Sequence, residues 1–394
     1  MPLLSTRRDS DTLDRSSLLR IRQYCLLAMA GIGLLLGSTG CASLSESPAD
    51  RAGGNQEAEN REVGTRTAAS APAPSAGMAL PPEYDFPARD TVRVATWNVE
   101  NFVDTHDDPY VDAERENQPG GVDREVRRFA RAVRTLNADI VVLQEIESEA
   151  FVQRIVEDHL PDAGYRFFGS TKSPTWFQNV VVMSRYPLGV LRGYADVVTP
   201  LEGMQADTGD PAATALINHR LWMVDVRLSA SAHLTVVGAH LKAGGSDRDR
   251  AWRLGQVRFL HGELTRLLRE RPSARVLVAG DLNSLPDSPE LRLLLNNPDR
   301  PAPDSLTTAS AASSPVPPRT AVFADPLHGA PSPTYPSDDP SRQLDYLLPN
   351  RPLRDDLRPG SMEVVRPLPA EALTATSDHL PVVATFTVAP GASP

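Results

Sequence analysis

The sequence VLVAGDLNS at residues 276–284 joins a short apolar run to a polar end. Four consecutive apolar residues, 276–279, are typical of a strand that is buried on both faces of a sheet. Asp281 and Asn283 follow at positions i and i+2, so their side chains face the same side if the strand continues. A tight turn is the alternative, because Gly, Asp and Asn all favour turns. The stretch therefore predicts either a strand end that presents two oxygen-bearing side chains or a plain turn.

Similar junctions recur along the chain. Strand-like runs such as Thr91–Thr96 and Ile140–Leu143 also end in polar residues. Including the first stretch, the polar residues at such ends are Asn98, Glu145, His240, Asp281, Asn283, Asp345, Asp378 and His379. A rigid scaffold holds side chains in place at strand ends and loops, where binding and catalytic residues concentrate. The pattern predicts one site assembled from distant parts of the sequence.

Three segments show helical periodicity: a helix capped by Asp123 and ending at Leu136, one near residues 147–160, and one at Asp247–Arg269. Further strands are predicted at residues 165–168, 180–184, 221–228, 234–239, 344–348 and 382–388. Long loops are predicted at residues 104–122, 195–215 and 296–342. This arrangement fits a two-layer β-sandwich flanked by helices better than a doubly wound parallel sheet.

Composition limits the function classes. The formal net charge of the 394 residues is −10, whereas proteins that bind nucleic acid tightly and nonspecifically carry a basic surface. A nuclease remains compatible, because a divalent cation and a local group of arginines can offset the acidic field at one site. The two cysteines, Cys25 and Cys41, lie near the N-terminus and cannot form a disulfide framework for residues 90–390, which we predict to be a single domain.

The N-terminus predicts export. Arg20 and Arg22 precede an apolar run at residues 25–37, and small residues follow it, which is the order found in a signal peptide. We therefore predict a signal peptide at residues 1–40. The run is shorter than the roughly 20 residues that span a bilayer, although an uncleaved anchor is the alternative.

The residues around Cys41 predict how the chain is attached to a membrane. Cys41 follows Ser38-Thr39-Gly40, which resembles the lipobox of bacterial lipoproteins, with Ser38 where Leu is usual. We expect a lipidated Cys41 and a cell-envelope lipoprotein of the outer or plasma membrane, or a secreted protein if cleavage is of the ordinary kind. Residues 41–89 contain too few apolar residues to fold alone and predict a disordered tether.

Asn98, Glu145 and Asp378 offer oxygen ligands for a metal. Mg²⁺ prefers such ligands and needs only one or two carboxylates in addition to the oxygens of a substrate phosphate. Each residue alone has an ordinary alternative: a turn for Asn98, a helix start for Glu145, a cap or ion pair for Asp378. Together they predict a magnesium site, with Mn²⁺ or Ca²⁺ as alternatives, that serves the cleavage of a phosphate ester.

The remaining polar residues suit proton transfer and charge stabilisation. Asp281 can orient or deprotonate an attacking water, and Asn283 can hold a phosphoryl oxygen. His240 and His379 lie in predicted loops, and Asp345 can orient one imidazole and stabilise its cation. Zinc-site Cys/His spacing and a Gly-x-Ser-x-Gly motif are both missing from the sequence, so a zinc site and a serine hydrolase have little support.

These segments, in this order over about residues 92–388, resemble the endonuclease/exonuclease/phosphatase superfamily. The matching motifs are TWNVEN at 96–101, LQE at 143–145, HLK at 240–242, GDLN at 280–283, DY at 345–346 and SDH at 377–379. The resemblance implies a four-layer α/β sandwich, with two packed β-sheets flanked by helices, and Mg²⁺-dependent hydrolysis of phosphoesters.

The resemblance also implies roles for individual residues. The implied metal ligands are Asn98, Glu145 and Asp378, and the implied catalytic residues are His240, Asp281, Asn283, Asp345 and His379. His240 would be the general acid, and His379 would serve the phosphoryl transition state or act as base. A glutamate orients the first of these histidines in the deoxyribonuclease branch, whereas the nearest residues here are the neutral Gln178 and Asn179. Further candidates for contact with the phosphate or substrate are Asn179, Arg185 and Lys242.

Three functions stay open. The loop HLKAGG with Arg248 and Arg250 resembles that of secreted bacterial nucleases, so nucleic acid is the leading substrate. We expect the protein to be a monomer. A phospholipid (sphingomyelinase-like) or inositol-phosphate phosphoesterase is the alternative, and it would be favoured by an exposed apolar hairpin near the site, for which Trp176-Phe177 is a candidate. A non-catalytic surface-binding lipoprotein is the third reading.

Overall fold

The computed structural model describes residues 84–106, 119–173, 176–201, 214–217, 220–295, 323–330 and 332–388. All of them belong to one compact unit, Ala73–Pro394. The expected signal peptide, the tether up to residue 83 and large parts of the three long loops lie outside the described residues. Within the described ranges, no helix combines the length and apolar character needed to cross a membrane.

The described residues form thirteen strands and six α-helices. The strands are β1 (Thr91–Phe102), β2 (Ile140–Ile146), β3 (Phe167–Ser170), β4 (Asn179–Ser184), β5 (Arg192–Gly193), β6 (Val198–Pro200), β7 (Thr214–Leu216), β8 (Leu221–Arg227), β9 (His233–His240), β10 (Val276–Asp281), β11 (Asp345–Pro349), β12 (Glu363–Val364) and β13 (Val382–Thr387). The helices are α1 (Pro119–Leu136), α2 (Glu149–His159), α3 (Asp247–Glu270), α4 (Pro289–Leu295), α5 (Arg351–Asp355) and α6 (Ala370–Thr374), with a 3₁₀ turn at Pro161–Ala163.

The strands form two large sheets and one small one. The six-stranded sheet has the order β12-β13-β1-β2-β4-β3, the five-stranded sheet has the order β11-β10-β9-β8-β5, and β6 pairs with β7. β1 runs parallel to β2, and β9 runs parallel to β10. Since parallel strands end at the same edge, each large sheet brings two carboxyl ends together.

Three apolar clusters separate four layers. One cluster joins the six-stranded sheet to α1 and α2, the second fills the space between the two large sheets, and the third joins the five-stranded sheet to α3 and α4. The layers therefore run helix, sheet, sheet, helix. This confirms the predicted four-layer α/β sandwich, in which the alternating faces of each strand contribute to two different cores.

Trp222 links the two sheets. Its side chain is fully buried, and its indole Nε1 donates to the carbonyl oxygen of Val180 in the opposite sheet at 2.8 Å. The ring fits because the neighbouring strand has Gly238, where a Cβ would lie 2.2 Å from the ring. A glycine in the middle of β9 is therefore explained by the close approach of a large side chain.

Several strands are longer than the sequence predicts. β1 and β2 continue past Thr96 and Leu143, so Asn98 and Glu145 lie inside strands rather than after them. A register shift between Asn98 and Phe102 lets β1 continue as far as Phe102, whose side chain is buried. The polar residues predicted that each strand would end there. Local strand propensity does not contain the hydrogen-bonded pairing with neighbouring strands that extends them.

Other boundaries differ as well. α1 begins at Pro119 rather than after Asp123, since a proline is tolerated in the first turn while Gly120 and Gly121 weaken the helical signal. The predicted loop at residues 195–215 contains β6 and β7 in its described parts. The helices α4, α5 and α6 were not predicted, because five to seven residues are too few to show helical periodicity.

The chain enters the domain along the edge where β2 begins. The hydroxyl of Tyr84 donates to the carbonyl oxygen of Arg185, Phe86 packs edge-to-face on Tyr84, and Arg89 pairs with the buried Asp139 at 2.7 Å. Residues 84–89, which were assigned to the tether, thus contact the domain.

Candidate active site

The two large sheets meet at one end through a hydrogen bond between site residues. Asn98 of β1 donates from Nδ2 to Glu145 Oε1 of β2 at 3.2 Å, and also to Asp281 Oδ2 of β10 at 3.1 Å. Asn98 and Glu145 belong to the six-stranded sheet and Asp281 to the five-stranded sheet. The amide of Asn98 therefore bridges the two layers at their shared carboxyl-terminal edge.

His240 and Asn283 complete the contribution of the five-stranded sheet. His240 ends β9 directly beside Asp281 on β10, and its Nε2 lies 3.5 Å from Glu145 Oε1 and 3.8 Å from Asp281 Oδ2. Asn283 donates from Nδ2 to Asp281 Oδ2 at 3.2 Å and to the carbonyl oxygen of Leu241 at 3.1 Å. Both N–H donors of Asn283 are thus used to hold Asp281 and the chain after His240 in place.

Non-glycine residues with a left-handed backbone gather here. Glu100, Asn101, Glu145 and Asn283 have φ angles of 50°, 52°, 59° and 48°. Such residues cost of order 1 kcal/mol each and need local compensation. Part of it is visible: the Asn101 backbone N–H donates to Glu145 Oε2 at 3.2 Å, and that of Glu100 donates to Asn98 Oδ1 at 3.0 Å. The strained backbone thereby fixes the carboxylate of Glu145.

His379 and Asp345 form a buried pair. His379 Nδ1 lies 2.8 Å from Asp345 Oδ2, and His379 Nε2 points toward Asp281 Oδ2 at 3.9 Å and Asp378 Oδ1 at 3.8 Å. The segment is tied to β1, since Ser377 Oγ donates to the carbonyl oxygen of Asn98 at 2.6 Å and accepts from the His379 N–H at 2.9 Å. This explains why Ser-Asp-His occurs as a unit in the sequence.

The surroundings move the pKa values of these groups in different directions. Burial alone would lower the pKa of His379, but the carboxylates of Asp345, Asp281 and Asp378 raise it to about 10. Burial and the Asp345 carboxylate raise the pKa of Asp281 to about 7. Burial, together with the charges of Arg220, His379 and Lys242, lowers the pKa of His240 well below its usual value. At neutral pH His379 is therefore a cation and His240 is neutral.

Two sets of donors fit a hard divalent cation. Asp281 and Asp345 each place a carboxylate oxygen within 4.8 Å of the other and of a ring nitrogen of His379, which is protonated at neutral pH and therefore borders the cation without binding it; among the described residues, Asp345 Oδ1 is buried and has no hydrogen-bond partner. A cation would satisfy such an isolated anionic oxygen. The more exposed Glu145 and Asp378 add carboxylates, and burial raises the pKa of Asp378. Oxygen-rich sets of this kind suit Mg²⁺, Mn²⁺ or Ca²⁺.

All eight residues named by the sequence for metal binding and catalysis thus lie in one network. Their individual roles stay predictions. The cluster around Asp281, Asp345 and His379 is distinct from the predicted ligand set of Asn98, Glu145 and Asp378, although the two sets touch through Asn98 and Asp281.

The additional substrate contacts fare differently. Arg185 lies at the far end of β4, where it pairs with Asp139 at 2.9 Å and donates to the carbonyl oxygen of Ala163, so its assignment as a substrate contact is wrong. The cause is the antiparallel direction of β4, whose end lies beside the start of β2. Asn179 lies at the near end, but it is fully buried and its amide bonds to the backbone of Glu147, Phe177 and Ser173, which leaves no group for a ligand.

Lys242 lies beside the site and forms an ion pair with a residue outside the network. Its Nζ is 3.0 Å from Asp249 Oδ1 and 5.7 Å from the centre of the Trp252 ring. Lys242 still contributes to lowering the pKa of His240. Its contact with substrate stays a prediction.

Sequence reasoning missed Arg220. It precedes β8, and its backbone carbonyl accepts from the His240 N–H at 2.8 Å. The carboxylates of Glu145 and Asp281 act on its charge, although burial is the larger influence and lowers the pKa of Arg220. Only the register of β8 against β9 places Arg220 here, and no short motif signals that register.

Sequence comparison agrees with this geometry. The sequence pattern of the Endonuclease/Exonuclease/phosphatase family matches residues 95–379, a span that runs from β1 to His379. The chain belongs to this family. Its members hydrolyse phosphate esters with the help of a divalent metal, and the protein is therefore a metal-dependent hydrolase of phosphate esters.

Other comparisons show similarity in fold. An endonuclease/exonuclease/phosphatase from Beutenbergia cavernae is 22% identical, with 76% of this chain and 72% of that chain covered and a TM-score of 0.47. A beta toxin from Staphylococcus aureus is 16% identical (74% and 99% covered, TM-score 0.47). The human Nocturnin catalytic domain, solved with a bound sulfate anion, is 15% identical (77% and 97% covered, TM-score 0.47). No curated protein gave a significant sequence match.

Proposed function

We propose that this protein is an exported, Mg²⁺-dependent nuclease that is held at the bacterial cell envelope through a lipidated Cys41. The observation that carries the reaction is the network that joins Asn98, Glu145 and Asp281 across two sheets at 3.1 and 3.2 Å. The proposed location is based on the N-terminal sequence. We also propose a monomer, because the sequence predicts a single domain.

The side chains divide the chemical work. Asp281, with a pKa of about 7, accepts a proton from the attacking water, and Asn283 and Asn98 hold its carboxylate in place. The His379 imidazolium, fixed by Asp345, stabilises the charge that develops on the phosphoryl oxygens. Asn98, Glu145 and Asp378 would hold a Mg²⁺, which would supply Lewis-acid polarisation of the phosphate.

The protonation state of His240 limits its role in catalysis. Its low pKa favours the neutral imidazole, which donates one hydrogen bond but carries no second proton to release. Its Nδ1 is buried with no partner among the described residues, so none of their acidic groups orients the ring through that nitrogen. A role as general acid requires that substrate binding first raise this pKa.

Nucleic acid is preferred over lipid for two reasons. The chain after His240 carries Arg248 and Arg250 on the exposed first turn of α3. The Trp176-Phe177 pair is not an apolar hairpin, because Phe177 is buried and the Trp176 indole N–H donates to Gln178 at 2.9 Å. A surface hairpin for a bilayer would instead expose adjacent apolar side chains.

A substrate panel tests this function. The mature protein is given duplex DNA, single-stranded DNA, RNA, sphingomyelin vesicles and inositol phosphates, each with Mg²⁺, Mn²⁺, Ca²⁺ or chelator. We expect cleavage of a nucleic acid with Mg²⁺, no cleavage in chelator, and a loss of about 10²–10⁴-fold in kcat for Asp281→Asn. Full activity in chelator would overturn the metal dependence, and cleavage of sphingomyelin alone would overturn the nuclease.

Asp158→Asn is the matched control for Asp281→Asn. The Asp158 side chain is exposed near the end of α2, and the change is expected to leave kcat unchanged. An equal loss in both variants would show that the effect is not specific to the site.

A further inference from the structure

Arg220 is a cation with little compensation. Its side chain is half-buried, and its Nη2 donates to the neutral Gln178 Oε1 at 3.0 Å. Among the described residues it makes no ion pair, although the carboxylates of Glu145 and Asp281 are near enough to act on its charge. A guanidinium has five N–H donors, so most of them remain for another partner.

Gln178 is held from both sides. Its Oε1 also accepts from the Trp176 Nε1 at 2.9 Å, and its Nε2 donates to Asn101 Oδ1 at 2.6 Å. The backbone N–H of Asn101 in turn donates to Glu145 Oε2. The amide of Gln178 thus connects the guanidinium to the segment that fixes a carboxylate of the site.

The neutrality of Gln178 matters for the charge. A glutamate of the same shape would form an ion pair with Arg220 and cancel its charge, whereas the amide orients the guanidinium and leaves the charge intact. A partly buried cation without a counter-ion is costly. An anion that enters the site supplies the missing partner, and a planar guanidinium matches two phosphate oxygens.

We propose that Gln178 is a positioning residue that holds Arg220 as a cation without an ion-pair partner among the described residues, and that Arg220 binds the phosphate group of the substrate. This deepens the proposed phosphodiesterase function and rests on it. Because Gln178 is committed to Arg220 and Asn101, it does not orient His240. The anionic part of the substrate supplies the negative charge that a glutamate at position 178 would otherwise provide.

The test compares Gln178→Glu, Arg220→Lys and the wild type in the full mature chain. Hydrolysis of bis(4-nitrophenyl) phosphate with Mg²⁺ gives kcat and KM, and inorganic phosphate serves as competitive inhibitor. We expect Gln178→Glu to raise both the KM and the inhibition constant of phosphate about tenfold or more, with a smaller change in kcat, because a charge-assisted contact is lost. Arg220→Lys keeps the charge but loses the planar fork, so its inhibition constant should lie between those of Gln178→Glu and wild type.

The control is Gln153→Glu, the same chemical change on the exposed surface of α2, where Gln153 bonds to Glu157 and to no other described residue. It should leave every constant unchanged. An unchanged phosphate inhibition constant in Gln178→Glu would overturn the proposal, and so would a fall in thermal stability that accounts for the whole effect. If the wild type hydrolyses no phosphodiester, the proposed function fails, and the stabilisation of each variant against heat by inorganic phosphate then decides the anion site alone.

Discussion

At the scale of single residues, neighbouring ionisable groups of the site have very different pKa values. His379 is kept protonated by Asp345, whereas Asp281, a few ångströms away, has a pKa near neutrality and His240 is kept neutral. Groups whose pKa values are pushed apart by their surroundings can act as acid and base at one pH. These pKa values suit Asp281 to accept a proton and His379 to stabilise negative charge.

The pair of His379 and Asp345 should behave as one unit. Asp345→Asn removes the carboxylate that raises the pKa of His379, so this pKa falls and the imidazolium is lost at lower pH than in the wild type. We expect kcat at pH 7 to fall about 10²–10³-fold in Asp345→Asn and in His379→Ala. The double variant should lose little more than either single one, because residues in direct contact are not additive. Losses that multiply in the double variant would show that the two act independently.

Arg185 should matter for stability and not for substrate. Arg185→Gln removes the ion pair with Asp139 and the bond to the Ala163 carbonyl, while Arg89 still pairs with Asp139. We expect the free energy of unfolding to fall by about 1–3 kcal/mol, with KM unchanged. Denaturant unfolding and steady-state kinetics on the same preparation check this. A raised KM without a loss of stability would restore Arg185 as a substrate contact.

At the scale of elements, the ends of neighbouring strands determine what meets. The sequence located every residue of the network from polar groups that follow apolar runs, because such junctions are local. It could not locate Arg220, whose place depends on the pairing of β8 with β9, or exclude Arg185, whose place depends on the direction of β4. Strand direction and register arise from long-range pairing, which local propensity does not contain.

At Gly280 the backbone of β10 leaves no room for a Cβ beside β9. The φ of Gly280 is +151°, and a Cβ there would lie 1.8 Å from the carbonyl oxygen of Ala239. Because the obstacle is backbone, Gly280→Ala should destabilise the fold by more than about 1 kcal/mol and displace Asp281. Thermal unfolding and kcat measure the two effects.

Gly262 provides the opposite case. It lies in the middle of α3, and an added Cβ meets nothing within 4 Å. Gly262→Ala should stabilise the protein by roughly 0.5–1 kcal/mol, because glycine is a poor helix former. Similar effects of the two substitutions would contradict the role given to the approach at Gly280.

At the scale of the whole molecule, the site belongs to neither sheet alone. Asn98 joins a carboxylate of one sheet to a carboxylate of the other. The network therefore exists only when the two sheets are packed, so catalytic competence and the inter-sheet core should be lost together on unfolding.

The proposed anchor is separate from this network. Cys41→Ser removes the only residue that the lipidation reading depends on, so the protein should move from the membrane fraction to the soluble fraction. Activity per molecule should be unchanged, because Cys41 lies outside the catalytic domain. Fractionation of cells, followed by immunoblot and assay, measures both. A variant that stays in the membrane fraction would favour an uncleaved anchor over the lipid.

The contact of residues 84–89 with the domain has a practical consequence. Asp139, which receives Arg89, directly precedes β2, whereas Glu145 is six positions further on, about 20 Å away at 3.3 Å per residue. A fusion partner, an affinity tag or a solid support joined directly to Tyr84 is therefore attached near the end of β2 that is remote from Glu145. Beads loaded through that end should leave the site accessible to bulky polymers, and the protein becomes a candidate for reusable, immobilised catalysis without redesign of its surface.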